Sequence, residues 1–171
     1  MKGFIMFALT AATTLFCSIT TPLTIQAAEL TPKAVMEEMV SEAADPTLTF
    51  EDTLFALINE ERSKHGLTAY ELDTTVDLAS ETRIGELEEI FSHNREGGKR
   101  FSTVLIELGI SYSSAAEIIA AGQTSPELVL SAWLNSPNHC RRILSSEYSN
   151  IGVAHNRAEN GIDYWEVLFI K

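Results

Sequence analysis

From Phe50 onward the chain alternates between two patterns of apolar spacing. Phe50, Leu54, Leu57 and Ile58 recur at helical intervals, with Arg62 on the same face. Gly66 stops this helix, and His65 sits in its last turn, where positive charge is favoured. Asp73 caps a second helix whose face carries Val76, Ala79, Leu87, Ile90 and Phe91. Gly85 inside it costs about 1 kcal/mol relative to alanine. Residues 94–100 read as a polar loop, and Ser102 to Leu108 as a short helix stopped by Gly109. Residues 111–122 pass from a loop into a short strand over Glu117 to Ala121. Ser125 and Pro126 then open a helix that runs through Trp133. Pro137 ends it, and a helical turn follows from His139 to Leu144. Beyond that point the spacing changes to strands. Residues 151–155 and 164–169 flank an Asn160-Gly161 turn, which is a hairpin signal. Helices first, then a strand, a helix and a hairpin predict an α+β fold. The expected packing is an α–β–α sandwich with a small antiparallel sheet between helices.

The beginning of the chain reads differently. Lys2 precedes an apolar run from Phe4 to Phe16, and Ala27 ends a small-residue cleavage pattern. Residues 1–27 are therefore expected to be a secretory signal. Thr-rich residues 18–24 hold the apolar run below the roughly 20 residues of a membrane span, so no transmembrane segment is expected after cleavage. Residues 28–48 read as an N-terminal leader with a short helix, and 49–171 as the folded domain. The expected location is extracellular or in the cell-wall space. Export would remove Cys17 and leave Cys140, which excludes an intramolecular disulfide.

The 171 residues carry 12 Lys and Arg against 24 Asp and Glu, a net charge of −12. Loss of Lys2 with the signal makes this −13. So acidic a chain repels phosphate backbones, and no nucleic-acid partner is expected. A monomer is the expected state.

Of the four histidines, His65, His93, His139 and His155, none stands in an HExxH motif, and no CxxC or GxSxG is present. The surrounding residues say more. Leu57-Ile58-Asn59-Glu60-Glu61-Arg62 with His65-Gly66-Leu67, Phe91-Ser92-His93 with Phe101 to Leu105, and Glu117 to Gln123 form three blocks. Ala132 to His139 with Ile143-Leu144, and Ile151-Gly152-Val153 with Tyr164-Trp165, form two more. In this order they resemble the CAP superfamily (cysteine-rich secretory proteins, antigen 5 and pathogenesis-related 1; the SCP domain), in its bacterial secreted branch. The resemblance implies an α–β–α sandwich with a cavity lined by His93, Glu117 and His139. The second cavity acid of the animal and plant members has no counterpart after Trp133. Ala116, Ile118, Asn138, Cys140 and Val167 also depart from the family's pattern, and each removes a polar or tight-turn neighbour of the cavity.

Two imidazoles and a carboxylate can hold zinc, with His93 and His139 as the metal ligands, or can polarise a water. They can equally serve as a hydrogen-bonded cluster that fastens helices to the sheet. If buried, Glu117 needs a partner, which Arg83 or a histidine could supply. Cys140 is expected as a small buried hydrophobe, Ser136 as a helix cap, and His155 as a solvent-facing strand residue. Arg141-Arg142 is expected to hold a carboxylate, Trp133 and Trp165 to belong to the core, and the glutamate runs to be solvated helix faces. Three functions follow as expectations. The favoured one is a non-catalytic extracellular module for a lipid, another apolar ligand or a protein partner. The others are a metal-dependent hydrolase and a purely structural domain.

Overall fold

The computed structural model describes residues 48–171. The expected signal segment and leader helix lie outside the described residues. Within them, Thr49 opens helix α1 (Phe50–Lys64) through a reciprocal cap. Its hydroxyl accepts from the Asp52 N–H while the Asp52 carboxylate accepts from the Thr49 N–H. Strand β1 (Glu71–Leu72) leads to α2 (Thr74–Glu89), where the Asp73 carboxylate accepts from the Thr75 and Val76 N–H groups. A short 3-10 turn (Glu96–Gly98) and helix α3 (Thr103–Glu107) follow. Strand β2 (Ala115–Ala121) precedes α4 (Pro126–Leu134), capped by Ser125, and α5 (Pro137–Ile143). Strands β3 (Asn150–Arg157) and β4 (Asp163–Ile170) complete the chain.

The four strands form one sheet in the order β1-β3-β4-β2. Pairing of β3 with β4 is antiparallel, as the hairpin signal predicts, and β2 also pairs antiparallel with β4. Strand β1 runs parallel to β3, so the sheet is mixed rather than wholly antiparallel. Two residues are too short for an alternation to be seen in sequence, which is why β1 went unrecognised. Its outer edge is partly closed by a side chain. Asn59 Nδ2 donates to the Tyr70 carbonyl at 3.1 Å, and Asn59 Oδ1 accepts from the Tyr70 N–H at 2.8 Å.

Helices cover both faces. On one side Leu54, Ile58, Val129, Trp133 and Ile143 pack on Ile118, Ile151, Trp165, Val167 and Phe169. On the other, Val76, Ala79 and Leu87 of α2 pack on β3 and β4 residues such as Ala154, Leu168 and Ile170. Helix α2 lies unusually close to β3. A Cβ on Gly152 would come within 2.4 Å of the Val76 backbone, so only glycine fits there. Asp77 of α2 also accepts from the Val153 N–H at 2.9 Å.

Several expectations change at this level. Trp133 and Trp165 are core residues, as expected. Helix α2 ends at Glu89, leaving Ile90 and Phe91 outside it and exposed. The turn expected at His139 begins at Pro137, and Ser136 precedes it without a side-chain cap bond. Cys140 is only partly buried. Arg141 donates to Asn138 rather than to a carboxylate. His155 is not solvent-facing, because its side chain is 14% exposed and lies against Phe50 and Trp165. Helices cover both sides of β3, so the alternation rule of a half-exposed strand does not apply to it.

Candidate functional site

The edge strand β2 carries Glu117 on the face that α2 covers. Helix α2 supplies Arg83 from below, and the segment that follows α2 brings His93 across. Arg83 Nε donates to Glu117 Oε1 at 2.8 Å, and His93 Nδ1 lies 2.7 Å from Glu117 Oε2. Both partners foreseen for Glu117 are therefore present together. Glu117 and Arg83 are buried, whereas the His93 side chain is 54% exposed. The imidazole thus stands at the surface on a buried carboxylate.

Each of the three Arg83 nitrogens makes a bond. Besides Glu117, Arg83 donates to Glu86 and, through Nη2, to the Ser92 carbonyl at 3.0 Å. That last bond fixes the residue before His93. Burial pulls the Arg83 guanidinium down, but the bonds to Glu117 and Glu86 outweigh it and hold it above its ordinary value. Glu86 in turn accepts from Arg95, which reaches Thr103 and Glu107 as well. Burial raises Glu86, yet Arg95 and Arg83 together hold it below the usual carboxylate range. Glu86 therefore does more than face solvent. It ties the 90–100 segment to α2 and so keeps His93 in place.

His139 lies on α5, with its ring 6.5 Å from that of Trp133. Burial, followed by the charges of His93 and Arg142, holds His139 below the ordinary histidine value and favours the neutral ring. The two histidines, 46 positions apart in sequence, are thus brought within electrostatic reach of each other.

The donor chemistry limits what this arrangement can bind. Among the described residues no three His, Cys, Asp or Glu side chains converge as a metal site. Both Glu117 oxygens are committed, one to Arg83 and one to His93, so Glu117 does not fit as a third zinc ligand. The chain supplies at most two imidazoles, with Glu117 orienting the His93 ring from behind.

One group went unrecognised in the sequence. Glu166 of β4 is fully buried beneath α2, and neither of its oxygens has a hydrogen-bond partner. The signal was available, since Glu166 is the lone charge in the otherwise apolar run Tyr164 to Ile170.

Comparison with known proteins places this architecture. The described helices include none long and apolar enough to cross a membrane. The chain is 32% identical over 123 residues to the uncharacterized protein YkwD of Bacillus subtilis, covering 71% of this chain and 47% of that protein. It is 30% identical over 145 residues to the uncharacterized membrane protein YlbC of the same organism, covering 82% of this chain and 39% of that one. The chain thus spans less than half the length of these two relatives. Among solved structures it superimposes on an outer surface protein from Borrelia burgdorferi with a TM-score of 0.67 and 27% identity, covering 71% of this chain and 92% of that one. An extracellular SCP-domain protein from Bacillus anthracis gives a TM-score of 0.64 at 22% identity, a likeness of fold alone, over 71% of this chain and 40% of that one. The profile of the cysteine-rich secretory protein family, CAP, matches residues 55–169. With the five sequence blocks, the mixed sheet and the helical layers agreeing, the chain belongs to the cysteine-rich secretory protein (CAP) family.

Proposed function

We propose that this protein acts outside the cell as a non-catalytic binding module. Its contact region is the rim formed by Ile90, Phe91 and His93, and its occupant is an apolar ligand or a protein partner. The observation that carries this reading is the commitment of Glu117. A carboxylate buried and bonded on both oxygens cannot reach a ligand to move its proton. Ile90 and Phe91, by contrast, are 52% and 51% exposed and are followed in the chain by Ser92 and His93. These two side chains offer apolar surface for such a contact. The extracellular and outer-surface descriptions of the similar proteins support the location.

The test is titration of the purified protein with a fluorescent long-chain fatty acid, beside Phe91→Ser and Ile90→Ser. Saturable binding that weakens at least tenfold in both variants supports an apolar ligand. If the fatty acid does not bind, and a surface crosslinker captures no partner through a probe placed at position 91, the binding reading is wrong.

A second reading rests on His139. Its preference for the neutral ring suits a metal ligand, and zinc on His93 and His139 would supply a polarised water for hydrolysis. Zinc titration of metal-stripped protein beside His139→Ala decides it. One-to-one binding abolished by the substitution supports this reading, and absence of binding in the parent protein removes it.

A further inference from the structure

The cluster under α2 holds more acids than its cations neutralise. Arg83 answers Glu117 and part of Glu86, and Arg95 answers the rest of Glu86 and Glu107. Glu166 is left over. The register sets Glu117 opposite Leu168 and Ile119 opposite Glu166, so the two glutamates are diagonal neighbours on one sheet face. Both Glu166 oxygens are buried without a donor. From α2, Ser80, Arg83 and Asp77 face it, and from β2, Glu117 does. From β3 its cross-strand partner is the apolar Ala154. The Ser80 hydroxyl is near enough to favour the charged form but makes no hydrogen bond of normal geometry. A bare carboxylate in such a place is far costlier than a neutral carboxyl, which needs only one acceptor for its proton.

We propose that Glu166 is carried in the folded protein as a neutral carboxylic acid and acts as a proton-operated latch behind His93. While the proton is present, Arg83 belongs to Glu117, and Glu117 holds the His93 ring. Loss of the proton creates a second buried carboxylate beside a single guanidinium. Arg83 is then drawn between Glu117 and Glu166, and the Ser92 and His93 anchor loosens. Burial, and then the charge of Glu117, push the Glu166 carboxyl well above its ordinary value, in agreement with this charge count. Glu166 touches no ligand on this account. It is a positioning residue, and its role stands whatever the His93 rim binds.

The direction with pH follows from linkage. Between its unfolded and folded values Glu166 keeps a proton in the native state that the unfolded chain has lost. Stability from this group is fully present below the unfolded carboxylate range, falls as pH rises, and is gone once pH passes the folded value. The folding constant drops up to about tenfold per pH unit across that window.

The experiment is carboxyl-carbon NMR of the purified protein labelled at glutamate, from pH 5 to 9, read with the side-chain signals of His93. One glutamate is expected at the protonated position at pH 6, absent in Glu166→Gln. As it titrates, a component of the His93 shift should follow the same midpoint, and in Glu166→Gln that component should be absent. Urea unfolding of both proteins should diverge with rising pH, Glu166→Gln gaining up to about tenfold per unit. If every glutamate is ionised at pH 6, the proposal is overturned, even if Glu166→Gln cannot be folded. A protonated Glu166 whose titration adds no component to the His93 shift overturns the latch.

Discussion

On the side of the sheet under α1, α4 and α5, Trp133, Trp165 and Phe169 are enclosed by other apolar side chains. On the side under α2 the sheet buries Arg83, Glu117 and Glu166 among a thinner set of apolar contacts. The first face is held by area and close packing, which any well-fitting apolar residues could supply. The second is held by directed bonds, and these also set where His93 stands. Apolar packing and site geometry are thus divided between the two surfaces of a single sheet, and on the polar side a sequence change reaches the His93 site together with the fold.

That division can be broken or sharpened by substitution. The largest effect is expected from Trp165→Ala, which empties the packed face and leaves the Gln123 carbonyl without its indole donor. A loss of about 3–5 kcal/mol in urea unfolding is expected, with the His93 signals retained where the protein is still folded. Arg83→Met should cost a similar amount, about 3–5 kcal/mol, because it strands a buried carboxylate. Here a second change should help. Arg83→Met with Glu117→Gln should recover part of the loss, a rescue that a packing residue would not show. If the double variant is no better than the single, the polar face is held by packing after all. Gly152→Ala probes the contact between α2 and β3, where a Cβ meets backbone at 2.4 Å. It should cost about 1–3 kcal/mol and shift the His93 signals, because α2 carries Arg83. The smallest effect is on the acid side. Burial favours the neutral ring of His139 in the fold, so its stability contribution is present above the ordinary histidine value and is lost as pH falls below about 6.5. A melting-temperature series from pH 7.5 to 5 should fall more steeply in the parent than in His139→Gln.

Much of the α-helical frame is legible in the residues, because its boundaries are written locally. Asp73 and Ser125 are caps that sit where the helices begin, and Asn160-Gly161 marks the hairpin. The pairing of Glu117 with a cation was also foreseeable, since a glutamate in an apolar strand needs one. What the residues do not display is which faces become covered. His155 and Glu166 both lie on strands buried from two sides, so alternation carries no information about their exposure. Strand β1 is two residues long and exists only because β3 offers it a ladder. The polar cluster under α2 joins Arg83 and Glu117, which stand 34 positions apart, so the intervening chain must fold before its members meet.

Asn59 has a meaning beyond its two bonds to Tyr70. A sheet edge that displays free N–H and C=O groups is a template on which another chain can lay down its own strand. The amide of Asn59 presents one donor and one acceptor in the manner of a neighbouring strand, and so closes the template at Tyr70 with a side chain instead of a polypeptide. Deamidation at Asn59 would exchange the donor for a negative oxygen facing the Tyr70 carbonyl. The edge would then open by repulsion, and chemical ageing of one amide would turn a closed border into a seed for self-association.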